Sequence, residues 1–306
     1  MSSVNTQGRV WPTASAAAFS GRFPVFMRVA TVAAWVLAVL VVGKIVHAVL
    51  EEPRIYGQDS HAYWLAAQEE LYYPRPAGTL DAYLYSPAFL WLIKPLSWLP
   101  WPTFLALWTV LLLVIAAWLV WPLRWQWAVP LFIYCLPEIL VSNIYLLLAV
   151  AAVLGTRWPG MWAFPILTKV TMGVGLLWFA GRRQWRNLTV GAVVSLSIVA
   201  VGYVLHPQAW QAWFEFLISN RDGTKDGMVL FASRCAVSLA LVFVAARFNW
   251  PWLIAPAMIL ASPILVSIIP MALLVAIPRL AMAGRRNRSA GGVPVAYGTH
   301  MACPLK

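Results

Sequence analysis

Charge is what this sequence has least of. Ten Asp and Glu and 22 Lys and Arg make up 10% of the 306 residues, against 62% hydrophobic residues and a mean hydropathy of +0.75. A soluble domain carries about a quarter charged residues and cannot bury apolar surface on this scale, so a soluble fold is excluded. Cysteine is also scarce. Cys135, Cys235 and Cys303 are too few and too scattered for a disulfide framework, and none stands at metal-ligand spacing from a histidine. A phosphate-cradling glycine loop, an internal repeat and a coiled-coil pattern are all missing, which removes nucleotide-loop folds and solenoids. The formal charge of +12 would suggest nucleic acid in a soluble protein. Here the basic residues form short clusters beside apolar runs and read as topology signals, so no nucleic-acid partner is expected.

What the chain has in abundance is apolar runs of spanning length. A transmembrane helix needs about 20 predominantly apolar residues, and such runs recur along nearly the whole sequence, so helices account for the hydrophobicity. The expected fold is an all-α polytopic membrane protein with about nine or ten transmembrane helices. Spans are expected near 26–50, 85–99, 104–121, 159–180, 188–205 and 229–246, with further crossings in 127–156 and 250–281. Pro130, Pro137, Glu138 and Asn143 interrupt the 127–156 run, which predicts shortened or broken helices that line a cavity. The first run is too long for a signal-peptide core and is read as a retained span.

Charge sets the orientation. Arg9 and Arg22 before the first span, Arg182, Arg183 and Arg186 after the 159–180 run, and Arg285, Arg286 and Arg288 near the end mark the cytoplasmic side. Residues 1–25 are then a cytoplasmic, disordered tail, 26–282 the transmembrane domain, and 283–306 a cytoplasmic basic tail. Outer loops fall at about 51–84, which holds six of the ten acidic residues, and at 206–228, whose first half is aromatic and amphipathic. The 19 tryptophans gather near helix ends, as interface anchors do.

The first outer loop and the segment after it, GQDSHAYWLAAQEELYYPRPAGTLDAYLYSPAFLWLIKPLSWLP, carry the informative pattern. Asp59 precedes Tyr63 and Ala66, Leu71-Tyr72 follow, Tyr85 and Pro87 open a span, and Pro95, Leu96, Leu99 and Pro100 form a turn. This order resembles glycosyltransferase family 87. The likeness continues through Asn143 and the following leucines, LTKVTMGVGLLWFAGRRQWR around Lys169, Arg234 at the start of a late span, and IPRL, over residues 50–280. Ser142 stands before Asn143 where members often carry Gly-Gln, and Val170 follows Lys169 where many carry proline.

The resemblance implies a C-type membrane glycosyltransferase of the plasma membrane. Such an enzyme moves a sugar, usually mannose, from a polyprenyl phosphate carrier to a glycolipid or cell-envelope glycan on the outer face, with inversion. Its partners are that donor, that acceptor and membrane lipid; no tightly bound cofactor and no metal are expected. The chemistry asks for a carboxylate to take the acceptor's proton and for cations to hold the leaving phosphate.

Asp59 is the expected base, although an Asp at that position also suits a helix N-cap. Lys169, flanked by apolar residues, and Arg234, just inside a span, are the expected donor-phosphate ligands. For Lys169 the other readings are snorkelling or an ion pair with Glu138; for Arg234, an ordinary boundary arginine. His61, Tyr63, Tyr85 and Asn143 are expected in the substrate pocket. Asp81 and the pairs Glu51-Glu52 and Glu69-Glu70 read as solvated loop charge, and His206, Arg221 and Lys225 as loop residues. A transporter or flippase for a lipid-linked or small solute is the alternative, and a non-catalytic membrane scaffold a third class.

Overall fold

Four helices in the computed structural model are long and apolar enough to cross a bilayer: Met27–Glu51 within α1 (Ala14–Glu51), α4 (Trp101–Val120), α9 (Trp185–Leu205) and α11 (Met228–Phe248). At 1.5 Å per residue, about 20 residues match a hydrocarbon core of about 30 Å. The structure describes residues 14–52, 55–69, 73–219, 227–263, 265 and 268–290, so Arg9, Glu70, Leu71, Tyr72, Arg221, Lys225 and Cys303 lie outside the described residues. These four helices coincide with the runs expected at 26–50, 104–121, 188–205 and 229–246. On α1, α9 and α11 large apolar side chains point outward, as Val39, Leu196 and Val229 do, whereas α4 also encloses Phe104, Trp108 and Leu112. Trp98 and Trp121 flank α4 and are 79% and 82% exposed, the position that interface-anchoring tryptophans take.

The remaining helices are shorter: α2 (Gln58–Ala66), α3 (Pro87–Ser97), α5 (Trp125–Val141), α6 (Tyr145–Gly155), α7 (Ala163–Thr168), α8 (Trp178–Gly181), α10 (Pro207–Ser219), α12 (Ile254–Leu260) and α13 (Ile277–Ala290). Tight 3-10 turns at Pro159–Trp162, Val170–Leu177, Pro251–Leu253 and Ile269–Ala276 connect several of them. No strand occurs among the described residues. A count of nine or ten crossings therefore does not follow from helix length. The 85–99 run yields only the eleven-residue α3. The 159–180 run is divided at Lys169, whose backbone leaves the helical region at φ −128° and ψ 79°. Pro251, Pro263 and Pro270 stand where the 250–281 run divides, each removing an amide donor from the helical ladder, whereas Pro256 and Pro278 lie in the first turns of α12 and α13.

These short pieces form the interior. Leu146, Leu148, Ala149 and Ala152 of α6 and Ile254, Ala255, Ala257 and Met258 of α12 are all fully enclosed. Trp162 is the wedge between two chain segments: a Cβ on Gly155 or Gly175 would stand 2.7 or 2.0 Å from its indole. Glycine at both positions is what lets α6 and the 170–177 turn close on one tryptophan. Across the other side, the Ser238 hydroxyl on α11 donates to the Ala257 carbonyl of α12 at 2.6 Å, and Thr171 donates to Ala261 at 2.5 Å. The break expected in 127–156 is present at Ser142–Ile144, around Asn143, one of the four interrupting residues, and not at the two prolines. Pro130 and Pro137 lie inside α5, and the chain turns only where Ser142 adopts φ +59°.

Candidate active site

Helix α2 begins at Gly57, a glycine held in the left-handed region at φ +77° that no L side chain adopts readily. Its amide donates to the Leu140 carbonyl near the end of α5 at 2.8 Å, which ties the start of α2 to the α5–α6 break. The rest of α2 is clamped onto α4 and its approach. The Trp64 indole donates to the Leu99 carbonyl at 3.0 Å, and Tyr63 lies edge-on to Phe89 and Trp108. Trp108 in turn donates to the Ser142 carbonyl at 3.0 Å.

Asp59 therefore sits in the first turn of α2, facing the α5–α6 break. It is not the N-cap, since Gly57 holds that position and no side chain caps the helix. Its Oδ2 instead accepts a 2.5 Å hydrogen bond from Asn143 Nδ2. Asn143 Oδ1 accepts from the Ile144 amide at 2.7 Å and from the Tyr85 hydroxyl at 3.5 Å. Tyr85 and Tyr63 share a 3.2 Å hydroxyl contact. With Tyr85 donating to Asn143, the proton of that contact comes from Tyr63. Burial raises the Asp59 carboxyl above its ordinary range, while the Asn143 hydrogen bond and the charge of Lys169 pull it down.

A cavity of about 610 Å³ brings Asp59, Tyr63, Tyr85, Asn143 and Lys169 together. The Lys169 Nζ stands 3.8 Å from the Tyr145 ring centroid and 5.7 Å from that of Tyr85. The expected alternative, an ion pair with Glu138, does not form: among the described residues the ion pairs are His47–Glu51, His61–Asp81 and Arg75–Glu69. Glu138 is fully enclosed and caps α6, its Oε1 accepting from the Tyr145 amide at 2.5 Å and the Leu146 amide at 3.3 Å. The other wall of the cavity is apolar, formed by Trp213, Phe216 and Leu217 of α10, Met228 and Phe231 of α11, and Pro263, Ile269 and Pro270. Tyr73 stacks on Phe216 with ring centroids 5.2 Å apart, so the two segments read as outer loops meet at this cavity.

Two expected site residues lie apart from the lining. The His61 Nδ1 pairs with Asp81 at 2.7 Å, and its ring packs on Trp64 and Trp101. Asp81 is thus a partly enclosed partner of His61 and not a solvated loop charge, and Glu69 likewise pairs with Arg75. The Arg234 Nη1 donates to the Ser262 carbonyl at 2.9 Å and the Leu260 carbonyl at 3.5 Å, the carbonyls that end α12. The sequence reading missed Tyr145 and the apolar wall. Tyr145 sits two positions beyond Asn143 at the helix break, which is the signal that could have singled it out.

The model of glycosyltransferase family 87 matches residues 83–298, a stretch that holds Tyr85, Asn143, Lys169 and Arg234 and starts after α2. No curated protein and no solved structure matches the chain.

Proposed function

The chain belongs to glycosyltransferase family 87, and on that premise we propose that it is an inverting, polyprenyl-phosphate-dependent transferase that delivers mannose to a glycolipid or cell-envelope glycan. In this reading the cavity opens to the outer face of the plasma membrane and both termini are cytoplasmic. The shorter apolar segments complete nine or ten crossings in the C-type arrangement. The observation that carries it is one cavity with a carboxylate, Asp59, and an ammonium, Lys169, on one wall and lipid-compatible side chains of α10 and α11 on the other.

The acceptor hydroxyl attacks the anomeric carbon from the face opposite the phosphate. Its O–H bond breaks as Asp59 takes the proton, and the bond from the anomeric carbon to the phosphate oxygen breaks with its electron pair going to the phosphate. The configuration inverts. Polyprenyl phosphate leaves with the added charge, which Lys169 neutralises in a site shielded from water. Tyr63, Tyr85 and Tyr145 offer ring faces and hydroxyls around the sugar. Arg234 holds the end of α12 and shapes the wall beside the phosphate, and His61 fixes the 73–86 segment through Asp81.

Transfer of radiolabelled mannose from polyprenyl phosphate mannose to lipid acceptors, by the protein in proteoliposomes, tests the reading. Wild type transfers, and Asp59→Asn, equally folded, does not. Wild-type rates in the Asp59→Asn protein would remove the base. A wild-type protein that binds the donor without transferring sugar would favour the transporter reading, and flux across the vesicles would then be measured.

A further inference from the structure

We propose that Asn143 is a positioning residue that fixes which oxygen of Asp59 takes the acceptor's proton, and this rests on the transferase reading above. The amide of Asn143 has one chemically consistent orientation. Its Oδ1 must accept, because the Ile144 backbone N–H can only donate to it, so its Nδ2 must face Asp59. The 2.5 Å bond from Nδ2 occupies Asp59 Oδ2. Asp59 Oδ1 accepts no hydrogen bond among the described residues and belongs to a side chain that lines the cavity. One oxygen is held by the protein and the other is left for substrate.

The rigidity of this arrangement comes from the break between α5 and α6. The Asn143 amide donates to the Glu138 carbonyl at 3.3 Å, Ser142 turns the chain through a left-handed residue, and the Glu138 side chain caps the first two amides of α6. On the opposite side the Tyr85 hydroxyl donates to Asn143 Oδ1, and Tyr63 donates to Tyr85. Asn143 is thus gripped by two acceptor contacts and one donor contact, and a carboxylate held from a preset side loses no freedom on reaching the transition state. The charged and titratable groups acting on Asp59 are Lys169 from the α7 end, Glu138 from α5, and Tyr63 and Tyr85 beside it.

Asn143→Asp is the decisive variant. It keeps the volume and the acceptor for the Ile144 amide and leaves the Glu138 cap of α6 untouched, but it replaces the donor to Asp59 with a second carboxylate. Full rate–pH profiles of mannosyl transfer are measured for wild type, Asn143→Asp, Asn143→Ala and Asp59→Asn, with melting temperatures. A hydrogen bond to a charged group lost at this point corresponds to a fall in kcat of about 10- to 100-fold. Donor and acceptor KM stay close to wild type in the uncharged Asn143→Ala, and the acid limb of kcat moves to higher pH in both Asn143 variants. A wild-type acid limb in Asn143→Asp, or a loss of kcat matched only by a lower melting temperature, overturns the assignment. Should both Asn143 variants fail to fold, Tyr85→Phe frees one grip on Asn143 and is expected to move the limb the same way; an unmoved limb there is equally fatal. The outcomes also separate the two readings. An inactive wild type removes the transferase reading and this assignment with it, and an active Asp59→Asn removes Asp59 as the base and this assignment with it, whereas an inactive Asp59→Asn beside an unshifted Asn143→Asp removes the assignment alone.

Discussion

Replacing Lys169 with methionine withdraws the ammonium from the cavity while leaving an unbranched side chain over the Tyr145 ring. The cation–π contact at 3.8 Å is lost in every state of the cycle and does not enter kcat. The phosphate interaction behaves differently. In the proposed reaction the bound donor carries one negative charge on a phosphodiester, and a second develops as the bond to the anomeric carbon breaks. A cation about 4 Å from a unit charge is worth about 4 kcal/mol at an effective dielectric constant near 20. The first charge is felt on binding, so the donor KM rises about tenfold or more once water has replaced part of the lost attraction. The second is about half developed at the transition state, about 2 kcal/mol, which corresponds to a roughly 30-fold fall in kcat. Steady-state transfer in proteoliposomes across a donor series separates the two effects. Unchanged kcat and unchanged donor KM in a normally folded Lys169→Met protein would refute the placement of the phosphate beside this residue.

Asp59→Asn should abolish transfer and stabilise the fold in a pH-dependent way. Burial raises the Asp59 carboxyl, so the folded protein favours the protonated form; the cost of the charge is absent below the ordinary carboxylate range and complete above the raised value. The variant therefore melts above wild type at about pH 8, and the gap closes as the pH is lowered through the acidic range. For the same reason the acid limb of wild-type kcat lies above the ordinary aspartate value, which a rate–pH profile reads directly. Gly57→Ala combines a left-handed φ, costing about 1 kcal/mol or more, with a Cβ that would stand 2.6 Å from Leu105 Cδ1. Since α2 carries Asp59 but not Lys169, kcat falls while donor affinity in a binding assay stays near wild type; weakened binding with intact kcat would contradict that division. Phe231→Ser, on the apolar wall, raises the KM for a long-chain polyprenyl donor and spares a short-chain analogue, as a comparison of the two donors would reveal.

The parts of this protein legible in the sequence are those governed by one local quantity. Long spans depend on mean hydropathy over about 20 residues, and the 26–50, 188–205 and 229–246 runs fall within a few residues of the helices observed. Short helices answer to no such sum. Of the four residues that interrupt the 127–156 run, Pro130 and Pro137 lie inside α5, and the turn comes at Ser142 and Asn143, where Glu138 is placed to cap the next helix. That capping links residues across the turn and cannot be seen in composition. The site divides in the same way. Lys169 is visible because a cation flanked by apolar residues is costly, whereas Asp59 and Asn143 stand out through the family resemblance; the three meet in one cavity. His61, named for its place beside Asp59, and Arg234, at the start of a span, are instead engaged by Asp81 and by carbonyls at the end of α12, contacts fixed only by the folded chain.

The brevity of the buried helices has a consequence for how the protein is made. Segments the length of Tyr145–Gly155 or Ile254–Leu260 reach only about half or a third of the way across a bilayer and would leave their end groups unsatisfied in lipid. Neither can wait in the membrane as an independent unit while the rest of the chain is synthesised. The long helices α4 and α11 can, and they are the ones that later pack against α6 and α12. In chain order α4 precedes α6 and α11 precedes α12, so each short helix emerges after a long one on which it can pack.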